Sequence, residues 1–404
     1  MCSSCENTDT KSYPEKKYRL ADFFDMHWDK YMESPAEYVK PEQLKAVNAM
    51  RVCRTPVLGV EVYACPDCGE ITNVYHSCKN RFCPTCSWQD TVKWAERVKK
   101  KMLKVKHRHI VCTLPHSLHP LIKRNEELLL SALMRASAAT FKDWFENKYR
   151  TKIGIVSVLH TYGEMKNYHP HTHMIVSWGG VGKNDRKLNE INKEFVNYKF
   201  LQKKFRCKFE DELVYLNDRD QLDHDFVDRE GFMNHIKKIN KQDWQIHLEP
   251  SIDIPEQVVR YVGRYSKRAC LSEYKITDID GEYISFLYKD YRDRDENKKP
   301  KEKELRLHYR DFFPRLLQHV PAPYFRIVRY YGLYSNHGNI PDEYLNGSAE
   351  EVESLVIEDW NNTKYCEYCN VEKVYVYSYF DRRSRKERRD DLIHSLEHNK
   401  REAA

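Results

Sequence analysis

Two short runs of apolar and β-branched residues, separated by a polar turn, dominate the middle of the chain. The first, residues 155–160, reads IVSVLH, and the second, residues 172–178, reads THMIVSW. This pattern is typical of a β-hairpin. Successive side chains of a strand point to opposite faces, so His171 and His173 project from one face with Thr172 turned away. The pattern therefore predicts a hairpin that presents two imidazoles side by side.

The histidines of this hairpin form a candidate metal site. Two imidazoles on one face of a strand can bind a divalent ion together. The third ligand should come from the neighbouring strand, where His160 and Glu164 are both candidates. His169 is the fourth histidine within fourteen residues, but Pro170 interrupts the pairing beside it, so we expect a role behind the ligands or in proton transfer. A single histidine beside a turn is most often a surface residue, whereas four in this context favour a metal site.

A second patterned stretch, residues 255–268, has the features of a short basic helix. It reads PEQVVRYVGRYSKR, with a proline at the start, apolar residues at helical spacing and cations at the end. Tyr261 and Tyr265 are four residues apart and therefore share a face. A pair of this kind is most often half-buried packing, but beside a histidine-bound metal it suggests nucleophiles for a phosphodiester. The surrounding cations are candidates for binding DNA: Arg260, Arg264, Lys267 and Arg268.

Paired cysteines make the clearest metal motif among the thirteen cysteines of the chain. Two CxxC pairs, joined by a short hairpin, are formed by Cys65, Cys68, Cys83 and Cys86. Such knuckles predict one closed tetrahedral site for structural Zn²⁺. Cys78, with His76 near it, is a rival that could replace one of the four ligands. A further pair, Cys366 and Cys369, has no second pair close in sequence, so Cys2 and Cys5 or another chain would have to complete a site there.

The amino terminus and the cysteine pattern together indicate a compartment. The first 17 residues lack the apolar core of a signal peptide, and no apolar run in the chain approaches the length of a membrane span. Cysteines in CxxC pairs of a long chain favour zinc in a reducing environment over disulfides. We therefore expect a cytoplasmic protein that does not contact membranes.

The remaining pattern mixes helices and strands. Residues 18–32 and 41–52 have helical periodicity, residues 107–114 have the character of a strand, and residues 125–149 form a long amphipathic helix. Helices that interrupt an antiparallel sheet predict an α+β fold. We expect three parts: a helical cap and zinc-binding domain over residues 1–105, a catalytic domain over residues 106–340 with an insertion at about 183–242, and a basic carboxy-terminal tail over residues 341–404.

Charge and aromatic content favour a nucleic-acid partner. The 68 basic residues are offset by 61 acidic ones, and the net charge of +7 predicts little by itself. Basic residues nevertheless concentrate at 99–109 and 382–389, although such runs are often only solvated faces. The 28 tyrosines, 16 phenylalanines and 7 tryptophans can stack on unpaired bases, so the expected partner is single-stranded nucleic acid. The chain has no GxxxxGK[ST] loop, which favours chemistry without a nucleotide cofactor.

Several segments, in order, resemble one known family. VLHTYGE followed by HPHTH, then RYVGRYSKR, YISFLYKDYRD and HVPAPYFRIVRYYGLYS are similar to the two-tyrosine HUH transposases of the rolling-circle insertion-sequence-ninety-one family. The likeness runs from about residue 51 to about residue 335. It implies an HUH-type antiparallel sheet flanked by helices, with an open face for DNA, behind an amino-terminal transposase zinc-binding domain.

The same resemblance implies roles for individual residues. Tyr261 and Tyr265 correspond to the nucleophiles, and His171 and His173 to ligands of an exchangeable Mg²⁺ or Mn²⁺ ion. Thr172 departs from the family pattern, which usually has an apolar residue at that position. In the family, a tyrosine attacks single-stranded DNA, the protein stays joined to the 5′ side as a phosphotyrosine, and a 3′-hydroxyl departs. The resemblance thus implies a transposase that cleaves and rejoins single strands at element ends. It also implies a bacterial protein that associates with the nucleoid when bound to DNA.

Three alternatives stay open at this point. The first is a replication-initiation or mobilisation nuclease with the same chemistry, which only flanking element ends would distinguish. The second is a non-catalytic zinc-finger DNA-binding protein, which would bind tightly without forming a covalent adduct. The third is a metal-dependent hydrolase of small phosphates, which the extensive basic surface disfavours.

Overall fold

The computed structural model describes residues 17–192, 196–242, 244–251, 269–347 and 365–379. The expected tyrosine helix lies outside these ranges together with all of its candidate residues, namely Tyr261, Tyr265, Arg260, Arg264, Lys267 and Arg268. Cys2, Cys5 and the basic run at 382–389 lie outside them as well.

Eight α-helices lie within the described ranges. They are α1 (Leu20–Glu33), α2 (Pro41–Arg51), α3 (Pro84–Lys100), α4 (His119–Arg124), α5 (Glu126–Tyr149), α6 (Tyr198–Asn217), α7 (Arg229–Ile239) and α8 (Tyr309–Leu317). Fourteen strands accompany them: β1 (Val60–Ala64), β2 (Ile71–Tyr75), β3 (His107–Thr113), β4 (Thr151–Lys152), β5 (Gly154–Tyr162), β6 (Tyr168–Ser177), β7 (Gly179–Gly182), β8 (Leu188–Glu190), β9 (Gln245–Leu248), β10 (Ile276–Asp280), β11 (Tyr283–Arg294), β12 (Pro300–His308), β13 (Val328–Gly332) and β14 (Val374–Tyr379).

The central sheet has five strands in the order β13-β5-β6-β3-β9, and every pair is antiparallel. Strands β5 and β6 form the hairpin that the alternating pattern predicts, with His160 opposite His171 and Val158 opposite His173. Smaller antiparallel sheets are built from β10, β11 and β12 and from β4, β7 and β8. Helices interrupt these antiparallel sheets along the chain, which confirms the predicted α+β class.

The back of the central sheet packs on helix α5. Alternate residues of the hairpin, including Leu159 and Met174, meet α5 side chains such as Leu133 and Phe141 in one buried cluster. Each fully buried side chain of this kind contributes about 1.5–3 kcal/mol relative to an exposed one. Helices α6 and α7, which lie within the expected insertion at 183–242, place further apolar residues in this cluster and therefore cover the back of the sheet.

Helix α3 packs against the front of the sheet. Val158 and Ile175 point to this face, where they pack against Trp94 and Val98 of α3. The indole N–H of Trp94 also donates a hydrogen bond to the hydroxyl of Tyr330, 2.9 Å away on β13. Helix α3 begins in the cysteine-rich region, so it connects that region directly to the front of the sheet.

The amino-terminal helices and the end of the chain fold back on distant segments. Helices α1 and α2 share a buried cluster with α8 and the β10-β11-β12 sheet, where the rings of Phe24 and Phe313 stack 4.4 Å apart. Strand β14 pairs with β1, so part of the segment expected as a basic tail contributes an edge strand to the cysteine-rich region. This pairing brings residues more than 300 positions apart in the sequence into contact.

Candidate active site and metal centres

Three histidines converge on the front of the central sheet. His160 on β5 and His171 on β6 are directly opposite each other, and His173 lies two residues further along β6. One ring nitrogen from each lies within 4.8 Å of the others. The Nε2 atoms of His171 and His173 are 3.0 Å apart, a separation that a shared cation would stabilise. We call His160, His171 and His173 the histidine triad.

Hydrogen bonds behind the triad orient two of its rings. Nδ1 of His171 lies 2.7 Å from the carbonyl oxygen of His169, and a carbonyl can only accept, so Nε2 of His171 keeps its lone pair for the centre of the triad. Nδ1 of His173 lies 2.9 Å from Nε2 of His109, whose own Nδ1 is 3.5 Å from the Glu249 carboxylate. A carboxylate and a second imidazole therefore back His173.

Burial keeps the triad in its metal-binding form. The pKa values of His171 and His173 lie well below the ordinary value, chiefly because burial disfavours the charged imidazolium and secondarily because other histidines crowd the site. Neutral imidazoles are the ligands that metals bind. The donor set therefore fits a divalent cation.

Glu164, the other candidate for third ligand, is directed elsewhere. Its carboxylate forms an ion pair with Lys275 at 3.1 Å and accepts a hydrogen bond from the backbone N–H of Lys289 at 3.3 Å. Burial would raise the pKa of this carboxyl, but the positive charges of Lys275 and Lys166 outweigh burial and lower it. Strand β5 ends at Tyr162, so Glu164 lies in the turn beyond it, away from the centre of the triad.

The two residues between the histidines of HPHTH, Pro170 and Thr172, each suit their place in the structure. The register of the β5-β6 pair shifts between His160 and Tyr162, which leaves Pro170 at an irregularity where a missing N–H is tolerated. Thr172 is fully buried on the back of the sheet, and its hydroxyl donates a hydrogen bond to Ser137 of α5 at 3.1 Å. The polar residue at this family position is therefore satisfied without disturbing the histidine face.

A cavity opens beside the triad. His160, Tyr162 and His319 line it, together with Ala269 and Cys270, the first described residues after the expected tyrosine helix. On the other side of that segment, the backbone N–H of Glu249 donates to the carbonyl of His109 at 3.0 Å. The described residues that precede and follow the tyrosine segment thus both lie at the histidine site.

The cysteines form two four-thiol clusters where the spacing predicted one. Cys65 and Cys68 do not share a site with Cys83 and Cys86. The first cluster comprises Cys53, Cys78, Cys83 and Cys86, and the second comprises Cys65, Cys68, Cys366 and Cys369. Within each cluster the sulfur atoms lie within 4.8 Å of one another. The expected grouping of the two amino-terminal pairs is therefore corrected, and the carboxy-terminal pair is completed by this same chain.

Chain topology explains this exchange of partners. Cys53 follows the end of α2, and Cys83 immediately precedes α3. In the first cluster, the sulfur atoms of Cys53 and Cys86 are 3.2 Å apart. The pairing of β14 with β1 brings Cys366 to 3.6 Å from Cys68. Cys78, which the sequence offers as a rival ligand, belongs to the first cluster, whereas His76 instead contacts Glu61 at 3.3 Å.

Comparison with known proteins agrees with these sites. Residues 154–341 match a family described as "Putative transposase", and residues 23–114 match one described as a transposase zinc-binding domain. The chain is 30% identical over 326 residues to "Putative transposase y4qJ" of Sinorhizobium fredii (strain NBRC 101917 / NGR234), covering 78% of this chain and 80% of the relative. The chain belongs to the IS91-like transposases.

A second relative supports the same family. The chain is 28% identical over 298 residues to the transposase for insertion sequence element IS801 of Pseudomonas savastanoi pv. phaseolicola, covering 73% of this chain and 70% of the relative. No solved structure matches the chain. As a transposase of this type, the protein is a DNA-cleaving and strand-transferring enzyme with DNA as its partner, and its cysteine clusters serve structural zinc.

Several site residues were not anticipated from the sequence. The sequence places His109 only in a basic run, and the pairing of β3 with β6 is what brings it to the face of the triad. Cys53 stands alone in the sequence and belongs to no motif.

None of the helices in the described part of the chain has the length and apolar character needed to cross a bilayer.

Proposed function

We propose that this transposase cleaves and rejoins single-stranded DNA at the ends of its element through a 5′-phosphotyrosine intermediate, as in rolling-circle transposition. The histidine triad holds an exchangeable Mg²⁺ or Mn²⁺ ion, and Tyr261 and Tyr265 are the nucleophiles. The observation that carries the proposal is the position of the described residues on either side of the tyrosines, since both sides lie at the triad.

The path of the chain supports a meeting of tyrosines and histidines. Before the tyrosine segment, Glu249 contacts His109, which contacts His173 of the triad. After it, Ala269 and Cys270 line one cavity with His160. The 19 residues between these two points, 250–268, contain both tyrosines. That the described residues on either side of the tyrosines lie at the triad supports the proposal that the tyrosines act there.

The triad fits a cation that is exchangeable, unlike zinc in a closed thiolate cluster. It supplies three imidazole nitrogens on one side and leaves the remaining positions for water and phosphate oxygens, an open arrangement typical of catalytic sites. Of the two ions, Mn²⁺ suits nitrogen ligands better, because Mg²⁺ prefers oxygen. When bound, the ion would polarise the scissile phosphate and neutralise charge on its non-bridging oxygens.

The protein's own residues supply the nucleophile and its activation. The phenol oxygen of Tyr261 or Tyr265 gives its proton to water and attacks phosphorus. The bond from phosphorus to the 3′ oxygen breaks, and that oxygen takes a proton from water, so the upstream strand leaves with a free 3′-hydroxyl. A tyrosine titrates near pH 10, so attack near neutrality needs nearby positive charge, which Arg260, Arg264 and Lys267 would provide. Arg268 would contact the DNA backbone.

The ester that forms keeps the energy of the broken bond. A free 3′-hydroxyl can therefore attack the phosphotyrosine and restore a phosphodiester without a nucleotide cofactor. Two tyrosines allow two successive transfers, one holding a cleaved end while the other cuts again. Among the described residues, His171 is partly exposed at the triad, which supports approach of a DNA strand from the front of the sheet.

The test is cleavage by the full-length protein of single strands from candidate element ends, labelled at the 3′ end. We expect a labelled protein–DNA adduct on a denaturing gel in Mg²⁺ or Mn²⁺, and its loss in EDTA. Tyr261→Phe combined with Tyr265→Phe should abolish it, as should His171→Ala. Tyr324→Phe, at a fully exposed tyrosine, is the matched control. Full cutting by the double tyrosine variant would refute the proposal, and tight binding without any adduct would favour a non-catalytic DNA-binding protein.

A further inference from the structure

A second group of histidines lies beside the triad and shares no residue with it. It consists of His116, His119 and His169, whose candidate ligand nitrogens all lie within 4.8 Å of one another. The ring centroids are 4.6 Å apart for His116 and His119, 5.5 Å for His116 and His169, and 5.9 Å for His119 and His169. The chemistry of strand cleavage described above makes no use of this group.

The surrounding structure holds these rings in place. His116 lies in the turn before α4 and His119 is the first residue of that helix. Leu118 and Ile122 between and beyond them are fully buried in the main core, which anchors the turn to the domain. The hydroxyl of Ser117 donates a hydrogen bond to the side chain of Gln242 at 2.7 Å. The turn is therefore fixed before any ligand arrives, as a tight metal site requires.

One ring nitrogen of the group is buried without a hydrogen-bond partner in the described part of the chain. Nε2 of His119 is shielded from solvent and has no hydrogen-bond partner among the residues that the structure describes. The ring also packs edge-on against Tyr168, with centroids 5.9 Å apart, so it cannot simply turn outward into water. A buried polar atom without a partner is costly, and such an atom in a native protein usually indicates an unseen water or ion.

We propose that His116, His119 and His169 bind a transition-metal ion of the Zn²⁺ class. Three imidazole nitrogens are the donors that such ions prefer, and they discriminate against Mg²⁺ and Ca²⁺. His116 is exposed, which leaves the fourth coordination position open to solvent. The site differs in this respect from the two closed cysteine clusters.

The position of the ion indicates its role. His169 is adjacent to the triad, with its ring centroid 5.2 Å from that of His171, and its carbonyl oxygen accepts the hydrogen bond that orients His171. An ion at the second group would join the turn before α4 to strand β6 at His169. It would thereby fix the carbonyl that aims a ligand of the triad, and it would act as a positioning element rather than a reactive one.

Cobalt titration of the full-length, zinc-loaded protein tests the proposal. After exchangeable ions have been removed, Co²⁺ is added and its visible absorption measures the number of equivalents bound. We expect His119→Ala to bind one equivalent fewer than the wild-type protein, and His337→Ala, at an exposed histidine outside the group, to bind the same number. Equal binding by His119→Ala and the wild-type protein would overturn the proposal.

A conservative variant distinguishes the loss of a metal ligand from misfolding of the protein. His119→Cys keeps a metal ligand at the same position, so it should restore the lost equivalent and add a thiolate-to-cobalt charge-transfer band in the near ultraviolet. Absence of that band in a variant with an unchanged circular dichroism spectrum would show that residue 119 does not bind the ion. The proposed cleavage chemistry is judged separately: if His171→Ala still cleaves DNA while His119→Ala loses an equivalent, the second site stands and the cleavage proposal fails.

Discussion

Nε2 of His109 lies 2.9 Å from Nδ1 of His173, and the two rings are nearly parallel with centroids 5.1 Å apart. His109 is on β3 and is itself backed by Glu249. The Glu249 carboxylate, the His109 imidazole and the imidazole of His173, a proposed metal ligand, therefore form a line from the end of β9 across β3 and β6. The arrangement fixes which nitrogen of His173 faces the centre of the triad.

Substitution of His109 should lower the metal affinity of the triad although all three triad histidines remain. His109→Ala should weaken Mn²⁺ binding at the triad by about 10–100-fold, because His173 is no longer held in one orientation. Glu249→Gln should weaken it less, and the double variant should resemble His109→Ala alone. Free Mn²⁺ measured by electron paramagnetic resonance gives the dissociation constants. Unchanged affinity in His109→Ala would mean that the ring has no positioning role.

Zinc content tests the two cysteine clusters. Each cluster should bind one Zn²⁺ ion, so Cys366→Ser with Cys369→Ser should lower the zinc content by one equivalent, and Cys53→Ser should lower it by one at the other cluster. Cys207→Ser, at an exposed cysteine outside both clusters, should change nothing. Metal analysis of the purified proteins by mass spectrometry gives the count. A full zinc content in the Cys366 and Cys369 variant would contradict the second cluster.

The free energy of unfolding should decrease as the pH falls below 6.5, and part of this decrease should depend on His107. This residue is fully buried, and burial lowers its pKa to about 4. The hydroxyl of Tyr334 accepts from the backbone N–H of Leu103, so its own proton is available to Nε2 of His107, which must stay neutral to accept it. The unfolded chain, with a pKa near 6.5, takes up a proton first as the pH falls.

The contribution of His107 is therefore complete above pH 6.5 and is lost as the pH falls from there towards 4. Between pH 7 and pH 5 it should decrease by about 2 kcal/mol, from about 1.36 kcal/mol for each pH unit below 6.5. Urea unfolding of wild type and His107→Gln at both pH values isolates this share, since the other buried histidines are common to both. Identical pH dependence in the two proteins would show that His107 does not contribute.

The buried hydroxyl of Thr172 should be dispensable for cleavage. Thr172→Val restores the apolar residue usual in the family and removes the bond to Ser137, which still donates to the carbonyl of Leu133 at 2.7 Å. We expect a loss of about 1 kcal/mol in unfolding free energy, the usual net contribution of one hydrogen bond. Loss of DNA cleavage by a folded Thr172→Val variant would instead place this side chain in the function.

Local patterns predicted what local geometry decides. The hairpin, the common face of His171 and His173, and the position of Thr172 on the opposite face follow from alternation along a strand, so the sequence was sufficient for them. The choice between His160 and Glu164 depends on where β5 ends, and strand ends are poorly defined by sequence. His109 required the register of β3 against β6, which no local pattern contains.

The cysteines show most clearly what the sequence did not predict, namely which pairs share a site. CxxC spacing identifies pairs that can share an ion, but it does not identify which pairs meet. Cys68 and Cys366 are 298 positions apart and meet only because β14 pairs with β1. The nearest pair in sequence was therefore the natural choice and was the incorrect one.

The most direct test of the account is the identity of the residue that becomes joined to DNA. Full-length protein is incubated with a single-stranded element end, the adduct is digested with trypsin and nuclease, and the nucleotide-bearing peptide is sequenced by mass spectrometry. We predict a 5′-phosphate ester on Tyr261 or Tyr265, absent when His171 is replaced by alanine. A stable adduct on any other residue would contradict it.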